Sequence, residues 1–126
     1  MRSIIAVGAL AALVLMTAGA AAAAEQQMRQ LRVEGSRTIV EKDAPTLTGI
    51  TTKSVSLSYQ VNLDDLDLNT STGVSAAESR INTAAEVACK ELGAKYPEAK
   101  PTDAACILSA IRRPMAKLHS VTARPR

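Results

Sequence analysis

A chain of 126 residues with a formal net charge of +3 at pH 7 leaves room for one domain and argues against a nucleic-acid role, for which so small a charge is too weak. With no Phe, no Trp and two Tyr, the core must be assembled from Ala, Val, Leu and Ile, which bury less area than aromatic rings. A light core in a small domain profits from a covalent staple.

The first segment reads as a secretory signal peptide over residues 1–24. Arg2 gives a minimal positive start, Ile4 to Met16 is an uncharged apolar run, and Thr17 to Ala24 offers small-x-small cleavage sites. Cleavage is expected after Ala24, with Ala20 as the second site. An uncleaved anchor is the rival, because Ser3 to Ala24 carries no charge, but Ala and Gly fill its second half and suit the hydrocarbon core poorly. The product is expected in the periplasm or outside the cell, and is not integral to the membrane once cleaved.

Residues 25–52 form a polar N-terminal segment. Leu31-Arg-Val33 and Thr38-Ile-Val40 are candidate short strands around Gly35-Ser36, and Glu41 to Thr52, with Pro45 and Gly49, reads as a loop. Ser54 to Val61 then alternates strictly: Val55, Leu57, Tyr59 and Val61 on one face, Ser54, Ser56, Ser58 and Gln60 on the other. That is a half-buried strand.

A helix over about 71–92 follows, with Val74, Ala77, Ile81, Ala84, Ala85, Ala88 and Leu92 in one stripe. Thr70 or Thr72 can cap its start, Gly93 suits a left-handed stop, and Cys89 sits at the edge of the stripe. Ala94 to Pro101 is a connector. A second helix starts at 103, with Thr102 as cap and Asp103 in the first turn, where the dipole favours negative charge. Cys106, Ile107, Ala110, Ile111 and Leu118 are its apolar positions. Pro114 should kink or end it near Arg113, leaving residues 122–126 as a flexible tail.

Export places Cys89 and Cys106 in an oxidising compartment, where an even count implies a bridge. Closing that loop removes unfolded-state entropy worth roughly 3 kcal/mol. The spacing is neither C-x-x-C nor a zinc-ligand pattern, which disfavours a thiol–disulfide enzyme or a metal pair.

The acidic run Asp64, Asp65, Asp67 and Asn69 is the candidate cation site. Asp65-x-Asp67-x-Asn69-x-Ser71 opens like a calcium loop, but Thr70 stands where Gly is needed and Ala76 where a bidentate Glu belongs. Leu63, Leu66 and Leu68 alternate with the acids, so a strand-to-helix junction is the better reading. Asn69-Thr-Ser71 is formally a glycosylation acceptor, relevant only in a glycosylating host. His119 is the sole histidine and has no partner constellation, and no phosphate-cradling glycine loop is present; no catalytic residue and no cofactor is expected. Arg112, Arg113, Lys117, Arg124 and Arg126 gather toward the C-terminus, as a solvated face with its tail or a weak attractor of an anionic envelope polymer or membrane surface.

The order of these pieces resembles the UrcA family. The residues concerned are Val55 to Leu68 with its Asp-Leu-Asp-Leu, Thr70, Gly73-Val74, Arg80-Ile81, Ala84-Ala85, Ala88-Cys89, Lys95-Tyr96-Pro97, Cys106 and Ala110. The resemblance covers roughly residues 50 to 118. Asn62-Leu63 stands where Ser-Tyr or a similar aromatic is common, Ser71 where Pro often opens the helix, and Pro114 is odd inside the second helix. The resemblance implies a small exported protein of unassigned molecular role with no established enzymatic activity, and supplies no catalytic residue.

Together these readings predict an α+β domain over 53–121: a small antiparallel sheet packed against two helices joined by one Cys89–Cys106 disulfide. The expected function is a non-enzymatic binding or accessory protein of the envelope, its partner an envelope protein or an anionic polymer. The alternative is cation sequestration by Asp64, Asp65 and Asp67.

Overall fold

Alternation of inward and outward side chains runs further than the short apolar clusters suggest. In the computed structural model, which describes residues 29–42 and 49–123, β1 is unbroken over Gln30–Glu41 and β2 spans Thr51–Asn62. The strands pair antiparallel in continuous register, with Leu31 opposite Val61, Val33 opposite Tyr59, Gly35 opposite Leu57 and Arg37 opposite Val55. Leu31–Val33 and Thr38–Val40 are therefore parts of one strand, not two strands around a turn. Gly35 lies in mid-strand because its inward side must admit the disulfide: a Cβ there would stand 3.1 Å from Cys89 Sγ and 3.3 Å from Ala88 Cβ.

After β2 the chain turns through the acidic run. Leu63 is buried and Leu66 and Leu68 pack against the core, as their alternation with the acids predicts. Helix α1 covers Ser71–Lys95. Thr70 caps it, its Oγ1 accepting the Gly73 N–H at 3.0 Å. Ala77, Ile81, Ala85, Ala88, Cys89 and Leu92 are its buried face, so Cys89 lies within the stripe and not at its edge.

Gly93 does not end α1. The helix continues through it to Lys95, and Tyr96 N–H closes on the Leu92 carbonyl. The glycine answers a packing demand instead: a Cβ would meet Asp103 Oδ1 at 2.7 Å and Arg37 Nη2 at 3.1 Å.

Helix α2 covers Asp103–Thr122. Thr102 occupies the N-cap position, but its side chain makes no capping bond; Asp103 is in the first turn as expected. Pro114 does not end the helix at Arg113: the helix runs through to Thr122, which was expected in the tail. Pro114 falls on the buried row Cys106, Ala110, Pro114, Leu118, so burying that row offsets the one helical bond that the ring removes.

The helices lie against the sheet, α1 touching both strands and α2 touching β1 and α1. Leu31, Val33, Val61, Leu63, Ile81, Ala85 and Leu118 fill the space between, with Ala77, Ala110 and the disulfide. The Cys89–Cys106 bridge joins α1 to α2 with Cα atoms 5.9 Å apart, and both residues are inaccessible to solvent. The fold is α+β, as the sequence predicts. Among the described residues, no helix is long and apolar enough to cross a membrane. The expected leader and cleavage sites, the segment up to Met28, loop residues 43–48 and tail residues 124–126 lie outside the described residues.

Candidate functional site

The acidic run is held by an arginine on the next helix. Asp65 presents both carboxylate oxygens to Arg80, each bond 2.6 Å long, and Arg80 Nη1 also donates to the Asn62 carbonyl at 2.8 Å. The Arg80 hydrogen bond lowers the Asp65 carboxyl from 3.8 to about 2. Asp67 Oδ1 accepts from the Asn69 backbone N–H at 3.0 Å and from Asn69 Nδ2 at 3.1 Å, while the Asp67 carbonyl accepts from Thr70 Oγ1 at 2.8 Å. Asp64 lies 4.0 Å from Arg29. Among the described residues, no group of three or more His, Cys, Asp or Glu side chains is placed to hold a metal ion.

His119 lies in the last turns of α2. Because α2 passes Pro114, His119 Nε2 comes within 2.6 Å of Glu78 Oε1 on α1, an exposed clasp between the helices. On the other side of α1, the Tyr59 hydroxyl donates to Glu91 Oε2 at 2.8 Å, and that bond raises the phenol above its ordinary value.

Arg37 is the residue that sequence reasoning missed. It is 4% exposed, on the inward face of β1. Nη1 donates to the Pro101 carbonyl at 2.8 Å and Nη2 to the Cys89 carbonyl at 2.9 Å, and Nη2 also contacts Asp103 Oδ1; Nε has no partner among the described residues. Its signal was position: Leu31, Val33, Gly35 and Arg37 share one strand parity. The guanidinium fastens β1, the end of α1 and the start of α2 around the disulfide.

A groove of about 470 Å³ lies between β1 and α2. Arg32, Glu34 and Ser36 form one wall, and Ser109, Ala110, Arg112, Arg113 and Pro114 the other. Backbone geometry makes the β1 wall an open edge. Thr38 exchanges both of its peptide hydrogen bonds with Lys100, N–H to carbonyl at 2.6 and 2.9 Å, so its peptide groups point away from β2. At the other end, Leu63 N–H donates to the Arg29 carbonyl at 2.7 Å, so odd positions of β1 face β2. By the alternation of an antiparallel ladder, the N–H and C=O of Ser36, Glu34 and Arg32 therefore face the groove. None of them has a partner on that side among the described residues.

Charge in the groove is mainly positive, with Arg32, Arg112 and Arg113 set against Glu34. Arg112 and Arg113 make no ion pair among the described residues, and Arg32 is partly matched by Glu34 at 3.6 Å. Of the basic group foreseen near the C-terminus, Arg112 and Arg113 line the groove, Lys117 lies exposed further along α2, and Arg124 and Arg126 are outside the described residues. No family model, no curated protein and no solved structure matches the chain.

Proposed function

We propose that the chain is an exported, disulfide-stapled binding protein of the cell envelope that acts without catalysis, in keeping with its resemblance to the UrcA family. The observation that carries binding is the β1–α2 groove, where a strand edge with no partner among the described residues faces Arg112 and Arg113 on α2. The buried Cys89–Cys106 bond supports export, since such bonds persist in oxidising compartments. Cation sequestration by Asp64, Asp65 and Asp67 has less support, because Asp65 is already neutralised by Arg80.

The test is retention of an envelope component by the oxidised protein and by the Arg112→Glu/Arg113→Glu variant. Both substitutions are on exposed positions, so an unchanged circular dichroism spectrum is expected. A component retained by the native protein and lost from the variant supports the reading. Equal retention by both, or none by either, overturns it.

A further inference from the structure

We infer that the groove takes an extended, acidic polypeptide segment of another protein, which pairs with β1 as an added strand. This rests on the groove reading above and supplies the partner's chemistry. The chain already uses this edge once: Lys100, in the connector, forms an antiparallel bridge with Thr38 and then turns away into α2. The edge continues past that bridge through Ser36, Glu34 and Arg32, a span of about 14 Å at the usual rise of a strand. An extended backbone satisfies the donors and acceptors that Lys100 leaves open, which is how strand addition gains its affinity.

Side chains decide the sequence preference. In an added strand, alternate residues point to opposite faces. On the α2 side they meet Arg112 and Arg113, whose planar forks match carboxylates in two-point contact. Pro114 adds an uncharged, buried floor to the same wall, since its ring lies in the groove and offers no N–H. The exposed charges of Arg32 and Glu34 guard the edge against indiscriminate pairing, and the preference for an acidic partner comes from Arg112 and Arg113.

The experiment is titration of the oxidised, leader-free protein with acidic octapeptides of alternating Glu and Val, followed by amide NMR and hydrogen exchange. The Ser36, Glu34 and Arg32 amides are expected to exchange fast in the free protein and to become protected when peptide binds. Arg112→Glu/Arg113→Glu should weaken binding about tenfold or more, while Lys-Val peptides bind no better than background. Binding that leaves those amides unprotected, or equal binding of polyacrylate, which has no peptide groups, overturns strand addition. So does slow exchange of the same amides in the free protein, which would mean that a segment of this chain fills the edge. Self-association that competes with the peptide would make a second copy the occupant and equally overturn the inference. If an envelope component is retained through Arg112 and Arg113 while the peptides fail, the mode of docking is wrong and the binding function stands.

Discussion

Arg37 shows how one side chain can tie three elements. Its guanidinium satisfies the Pro101 and Cys89 carbonyls from a nearly solvent-free position. Arg37→Ala would delete two hydrogen bonds from a charged donor, each worth about 1.5–3 kcal/mol. The expected loss is therefore about 3 kcal/mol or more in urea denaturation, and Arg37→Lys should recover only part, since an ammonium cannot reproduce the fork. Asp103→Asn should cost less, because its carboxylate is half exposed. Asp65 belongs to the same scale and makes a pH prediction. Its folded value, about 2, lies below the ordinary 3.8, so the carboxylate is the form that the fold prefers. The pair's stabilisation is fully present above the unfolded value and fades as pH falls through the folded one. Asp65→Asn should flatten the loss of stability between those values, measured by denaturant midpoints across acid pH; an unchanged slope would show that the pair adds nothing.

Helix ends separate what a local pattern can say from what it cannot. Thr70 and Thr102 look alike in sequence, each a threonine just ahead of a helix, yet only Thr70 makes a side-chain capping bond. Thr70→Ala should cost about 1 kcal/mol, whereas Thr102→Ala should be close to neutral, both read from urea midpoints. The difference has a local cause at one end and a tertiary one at the other. At Thr70 the turn from Asp67 brings hydroxyl and Gly73 N–H together; at Thr102 the first turn of α2 is held instead through Arg37, which binds the Pro101 carbonyl and Asp103. Gly93 and Pro114 misled for a related reason. Both have strong local preferences to end helices, and both sit where α1 or α2 is pressed against neighbours, so packing prevails.

As a whole molecule, this protein replaces aromatic bulk with closeness. Gly35 and Ala88 let β1 approach the disulfide, and the bridge holds α1 to α2 where rings would otherwise fill space. Cys89→Ala/Cys106→Ala should lose roughly 3 kcal/mol, seen as a lower urea midpoint than that of the oxidised protein and matched by adding reductant to the native chain. The β2 strand, the stripe of α1, the core leucines of the acidic run and the α+β class were legible from sequence because each rests on a repeat of two or of three to four residues. The cysteine pairing was legible because a chain with one pair has one internal connectivity. What only the tertiary structure decided were contacts between residues far apart in the chain: Arg37 on Pro101, Arg80 on Asp65, His119 on Glu78, and the β1 edge facing Arg112 and Arg113. Periodicity tells which way a side chain points along its own element, but a partner in another element is chosen by how the elements pack, and no local repeat encodes that choice.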